Sequence, residues 1–173
     1  MLVRQKVIIH LIDKMGGESS FIRLTKTAFL YKRLVKSNKN DTFYDFVPYK
    51  YGPYSFNLHN ELKKLIKNRY LYSLDKKTVR INNNLAIPSI DLQFEEQLRF
   101  FINKYSNLSD NKLSEHIYSQ YPWFTINAAK IEKRRSMRPK ASNLVYTVGY
   151  EGLQIDTFLN LMLKKGIEQV IDV

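Results

Sequence analysis

The chain has 173 residues, 44% of them hydrophobic, which suits one ordinary domain or two small ones with a packed core. It has no Cys, which excludes a disulfide, a thiolate metal site and a Cys nucleophile, and no apolar run approaches the roughly 20 residues of a membrane span. Lys and Arg number 28 against 16 acids, a formal charge of +12 that points to nucleic acid or an acidic protein, with a generically basic surface as the plain alternative.

The N-terminus, "MLVRQKVIIHLIDKMGG", interrupts its apolar positions with Arg4, Gln5, Lys6 and His10, unlike a signal peptide. The expectation is a soluble cytoplasmic protein, and frequent Lys, Asn, Ile and Tyr suggest a prokaryotic, AT-rich genome. Val7, Ile8, Leu11, Ile12 and Met15 recur at helical spacing, so residues 2–15 are read as a helix stopped by Gly16-Gly17. "ESSFIRLTKTAFLYKRLVKS" at 18–37 reads as more helix, with Leu24, Ala28, Tyr31 and Val35 at steps of four, three and four and Thr25 or Ser20 as its cap. "NKND" at 38–41 is a loop. "TFYDFVPYKYGPYS" is aromatic and extended, because Pro48 and Pro53 forbid a helix through it and Gly52-Pro53 signals a turn.

Ser55 is placed to cap a third helix. Leu58, Leu62, Leu65 and Ile66 share one side of it. At about 100° per residue, Asn57, Asn60, Lys63, Lys64 and Lys67 form a continuous polar arc opposite the leucines. "YLYSL" and "TVRIN" follow as short strands joined at Asp75-Lys76-Lys77. Helix, helix, helix, hairpin is the order of a winged helix-turn-helix.

"NNNLAIPSID" reads as a linker or strap. A helix follows over Phe94 to Tyr105, and another is capped at Ser109-Asp110, carries Leu113 and Ile117, and ends at Pro122. From 130 to 140 the chain holds six basic residues and one acid, with little apolar rhythm. That stretch reads as a basic linker. Beyond it, a buried-looking strand at 144–149 leads through a Gly turn to a helix capped near Asp156, with Phe158, Leu159, Met162 and Leu163 on its apolar side and Gly166 at its end. A second strand is expected over Gln169 to Val173. Two parallel strands and one helix cannot cover both faces of a sheet, so the natural protein is expected to be longer.

The expected fold class is therefore mainly α with a small β hairpin, a winged helix-turn-helix, followed by an incomplete α/β fragment of strand, helix and strand. The expected domains are a winged-helix-like module over 1–127, a basic linker over 128–143 and the start of an α/β domain over 144–173.

Catalysis finds little support. His10, His59 and His116 are not at ligand spacing, and His59 borders an apolar stripe where packing is the simpler role. No paired carboxylates, nucleophile elbow or phosphate-binding loop appears, so no catalytic residue, metal or cofactor is assigned. "TVGYEG" places two glycines before a helix whose N-terminus suits an anion, a weak signal without a third glycine. The third helix is better. Lys63, Lys64 and Lys67 accompany Asn57 and Asn60, and the Lys76-Lys77 wing tip follows. Lys neutralises phosphate, Asn pairs with adenine in the major groove, and the helix before a wing is the one that inserts. The plain alternative is an ordinary solvated helix face. Lys133, Arg134 and Arg135, with Arg138 and Lys140, grip phosphates or form a solvated tether. Phe43, Tyr44, Phe46, Tyr49, Tyr51 and Tyr54 suit base stacking, but such a cluster is read first as core.

Two resemblances rest on these residues. Residues 5–82, with Tyr51, Gly52, Pro53 and Ser55 before a helix and a hydrophobic hairpin, resemble the YwgA-like and Panacea-like families. That resemblance implies a helical, winged-helix-like domain of prokaryotic toxin-antitoxin and defence systems, often one that binds a partner protein. Residues 145–173 resemble the start of the domain of unknown function 488 family. Tyr146, Thr147, Gly149, Tyr150, Glu151 and Gly152 match its opening strand and turn, and Asp156, Phe158, Leu159, Gly166, Asp172 and Val173 its helix and second strand. "YPWFTINAA" is similar to sequence found between such modules and that domain. The preferred reading is a duplex DNA-binding module acting as a regulatory or targeting front end. A protein-interaction module of antitoxin type, and an enzyme whose site lies in a missing C-terminal domain, stay open.

Overall fold

A computed structural model of the chain describes residues 1–34, 43–129, 144–149 and 151–171. Helix α1 (Val3–Lys14) is followed by strand β1 (Glu18–Ser20) and helix α2 (Phe21–Leu34). A hairpin of β2 (Val47–Tyr49) and β3 (Gly52–Tyr54) leads into α3 (Phe56–Lys67), then β4 (Leu71–Ser73) and β5 (Thr78–Ile81). Helices α4 (Leu92–Tyr105) and α5 (Asp110–Gln120), a short 3-10 turn (Trp123–Thr125) and α6 (Ile155–Lys165) complete the described elements. The fold is mainly α with small β, as the periodicity implies.

The helices form where apolar spacing and caps agree. Ser20 Oγ accepts the Arg23 N–H at 3.1 Å and Ser55 Oγ that of Leu58 at 3.2 Å, each satisfying a donor that the helix start leaves open. Thr25 is not the cap of α2, because its hydroxyl donates to the Phe21 carbonyl one turn back. The buried stripes converge on one core: Ile8, Leu11 and Ile12 of α1, Leu24, Ala28 and Phe29 of α2, Leu58, Leu62 and Leu65 of α3, Phe101 of α4 and Ile117 of α5. Each large side chain so buried contributes about 1.5–3 kcal/mol of transfer free energy.

The sheet order is β1-β5-β4, all antiparallel. Leu71 faces Ile81 and Ser73 faces Val79 in the wing, while Glu18 to Ser20 run against Arg80 to Thr78. Thus β1, between α1 and α2, closes the open edge of the wing. The residues "ESS", expected as part of the helix over 18–37, are instead a strand, because they carry no apolar alternation of their own and pair with β5. Its pairing is tertiary, reinforced by the Ile81 N–H to the Gly17 carbonyl and the Phe21 N–H to the Lys77 carbonyl.

The connection from α2 to α3 is not a tight turn. It holds the β2–β3 hairpin, with Pro48 opposite Pro53 and Tyr49 opposite Gly52. The reversal sits at Lys50-Tyr51, and Gly52 takes the positive φ of 103° that such a loop needs. A Cβ on Gly52 would stand 3.3 Å from the Tyr118 ring, so glycine also permits the hairpin to pack on α5.

Two helix ends use the same device with different residues. After α1 the Gly17 N–H reaches the Ile12 carbonyl and the Gly16 N–H that of Asp13. After α3 the Tyr70 N–H reaches Leu65 and the Arg69 N–H reaches Ile66, the same pair of C-terminal bonds. Gly16 sits at φ 96° but Arg69 at 59°, where a side chain costs about 1–2 kcal/mol. Arg69→Gly is therefore expected to stabilise the fold by about 1 kcal/mol, read as a rise in Tm of roughly 3 °C.

Residues 83–91 do form a strap. Lys6 Nζ donates to the Ser89 carbonyl and His10 Nε2 lies 2.8 Å from that of Pro88, pinning the strap along α1. The C-terminal fragment differs from expectation. Residues 144–149 and 167–171 lie in no strand, and only its helix, α6, is present among the described residues. A strand needs a neighbour to satisfy its backbone, and no described segment pairs with either stretch. Instead α6 docks on the 3-10 turn. Asp156 Oδ1 accepts the Trp123 indole N–H at 3.0 Å, and Asn160 accepts the Trp123 backbone N–H at 3.2 Å. Gln154, not Asp156, occupies the N-cap of α6.

Candidate nucleic-acid interface

Burying Leu58, Leu62 and Leu65 turns the opposite side of α3 outward. Asn57, Asn60, Lys63, Lys64 and Lys67 are all exposed. Among the described residues none of the three lysines lies within ion-pair distance of a carboxylate, and neither amide has a hydrogen-bond partner. The five expected polar positions thus form one open face.

The wing carries Lys76 and Lys77, both exposed, in the turn between β4 and β5. Asp75 lies between α3 and these lysines in sequence. Its carboxylate accepts the Lys77 N–H at 2.7 Å, which shapes the tip and holds that carboxyl below its ordinary range. A chain of contacts joins wing to helix. The Lys77 carbonyl accepts from Phe21, the Phe21 ring meets the His59 imidazole edge-on at 5.7 Å, and His59 adjoins Lys63. Burial, with Lys63 beside it, holds His59 below the usual imidazole range, so the ring is neutral at pH 7. His59 therefore serves as packing at the border of the basic face. His116 meets the Tyr105 ring at 5.5 Å, and among the described residues no three His, Asp or Glu side chains gather as a metal would need.

Lys133, Arg134 and Arg135, with Arg138 and Lys140, lie outside the described residues. The "TVGYEG" turn precedes α6, but no strand feeds it, and the first turn of α6 already carries Asp156. Asp156 lies 3.8 Å from Arg33. Arg33 stacks over the Phe124 ring, and burial lowers its pKa.

Two features of this face have little signal in the sequence. The first is Glu61, one position round from the lysine arc but buried. It accepts from Arg4 Nε at 3.0 Å and from the Tyr44 hydroxyl at 2.7 Å. The second is the fate of the aromatic stretch, read first as core. Phe43, Tyr44 and Phe46 are core, with Phe46 edge-on to Phe29. Tyr49 and Tyr51 are 47% and 54% exposed, and Phe56 at the start of α3 is 56% exposed. Tyr54 bridges the hairpin to the helix, its ring 5.0 Å from both Tyr49 and Phe56. The hairpin thus sets aromatic rings beside the N-terminus of the basic helix. No family model, curated protein or solved structure matches this chain.

Proposed function

We propose that this chain binds duplex DNA through the outer face of α3 and the β4–β5 wing, in the cytoplasm of a prokaryote, in a regulatory or targeting role. One observation carries the reading: Lys63, Lys64 and Lys67 stand exposed beside Asn57 and Asn60, all opposite the buried leucines, and among the described residues none of the three lysines is in an ion pair and neither amide in a hydrogen bond. Lysines with no carboxylate to neutralise are suited to phosphate, and free amides to base edges. The strand between α1 and α2 pairs with β5 of the wing, and the Lys77 carbonyl accepts the Phe21 N–H at the start of α2.

A second reading is a protein-interaction module of antitoxin type. The resemblance of residues 5–82 to YwgA-like and Panacea-like domains favours it, as do the three half-exposed aromatics next to α3. Salt titration separates the two. If the five lysines Lys63, Lys64, Lys67, Lys76 and Lys77 each meet a phosphate, log affinity for a duplex falls with log salt at a slope of about −4 to −5. Absence of duplex binding even at low salt would overturn the DNA reading.

A further inference from the structure

We infer that the cleft between the β2–β3 hairpin, the start of α2 and α3 is a stacking site for an unpaired nucleobase, so that the protein prefers DNA with a base out of the helix over a fully paired duplex. The inference rests on the DNA-binding reading above and names the form of DNA that the same surface takes.

The cleft holds a cavity of about 200 Å³. Phe21, Ile22, Tyr49, Tyr51, Tyr54 and His59 supply most of its described wall, and among the described residues the only charged side chain lining it is Lys26. Lys26 is buried and donates to Ser114 Oγ at 2.6 Å, so it anchors the floor. Among the described residues no carboxylate lines the cleft. Lys50, whose Nζ lies 5.8 Å from the Tyr51 ring, stands on one side, and Lys63, next to His59, on the other. An occupant with a flat apolar face and anionic flanks fits this combination, and a nucleotide within a strand has both. An acidic helix would bring the charge without the flat face.

The rings are presented ready-made. Pro48 and Pro53 face each other in the hairpin and their φ is locked by the pyrrolidine ring. Gly52 packs against Tyr118, and the Lys50 carbonyl accepts the Ala129 N–H at 3.0 Å. Little ordering remains for binding to oppose. In a helix-turn-helix the N-terminal residues of the recognition helix are those that meet the bases, and Phe56 begins α3 two residues after the hairpin ends at Tyr54. Bases inside a duplex have no free face. Aromatic rings at this place gain their stacking only where a base is unpaired or extruded.

The test uses the full chain and two probes: a blunt duplex, and the same duplex with one bulged fluorescent adenine analogue. The wild type is expected to bind the bulged probe about tenfold or more tightly and to quench its fluorescence. Tyr49→Ala with Tyr51→Ala should bring bulged-probe affinity down to the blunt value, abolish the quench and leave blunt-duplex affinity unchanged, in a variant that still melts cooperatively at a Tm lowered by the lost ring contacts of Tyr49 with Tyr54 and Phe56. Tyr49→Phe with Tyr51→Phe keeps the rings and should keep the quench. Equal wild-type affinity for both probes, or a quench that survives the alanine pair, would overturn the stacking site. Those results leave a steep salt slope on the blunt duplex intact, whereas the DNA-binding reading itself fails on loss of that slope. Binding of neither probe overturns both and favours a protein occupant.

Discussion

Glu61→Ala is expected to lower stability by about 3 kcal/mol, roughly 10 °C in Tm for a chain of this size. The Glu61 side chain is 8% exposed and holds two groups from distant parts of the chain, the Arg4 guanidinium and the Tyr44 hydroxyl. Removing it leaves the buried Tyr44 hydroxyl without its acceptor, at a cost of about 1–3 kcal/mol, and removes charge-assisted hydrogen bonds of similar worth. Arg4, 30% exposed, recovers some solvation, which keeps the loss near the lower end for a broken buried pair. The same cluster predicts a pH dependence. Burial alone would raise the Glu61 pKa, but hydrogen bonds from Arg4 and Tyr44 outweigh it and hold the carboxyl below the usual range. A depressed folded pKa means that the stabilisation is complete above the unfolded value of about 4.3 and is lost as pH falls through the folded value. Glu61→Gln should therefore narrow the stability gap between pH 7 and pH 3, measured by thermal melts at both.

Glu61 also shows where a linear reading ends. Its partners stand 57 and 17 positions away, and nothing in local spacing marks a single acid among lysines as buried. The leucine stripe of α3, its Ser55 cap and the lysine arc were legible because each is a local matter of about 100° per residue and one side-chain oxygen. The wing was legible too, since turn residues separate two short apolar runs. Strand β1 was not, because "ESS" becomes a strand only by pairing with Arg80 to Thr78. Pro48 and Pro53 hid the second hairpin for the opposite reason. Proline is disfavoured inside a sheet, and it is accepted here because the ribbon has two strands and both are edges. Apolar residues at 144–149 suggest a strand, but among the described residues no segment pairs with them. Within the aromatic stretch, Tyr44 is buried between Arg4 of α1 and Glu61 of α3, whereas Tyr49 on the hairpin meets only Tyr54 and Phe56 among the described rings and stays half exposed. That difference depends on tertiary packing.

Replacing Lys63, Lys64 and Lys67 together by Ala is expected to weaken duplex binding while leaving the fold intact. The three side chains are exposed and make no ion pair among the described residues. Their removal should cost within about 0.5 kcal/mol each, and Ala favours a helix. Each lysine that meets a phosphate contributes about 0.9 to the dependence of log affinity on log salt. The triple variant should therefore flatten that slope by up to about three units and weaken binding uniformly across duplex sequences, the mark of phosphate contact. Asn57 and Asn60, left in place, should preserve whatever sequence preference the wild type has. The direct measurement is duplex affinity for wild type and triple variant across several salt concentrations, with Tm recorded for both. A folded variant whose slope is shallower by two to three units is the expected result. An unchanged affinity and slope in a folded variant would contradict it and make this helix face a solvated surface only.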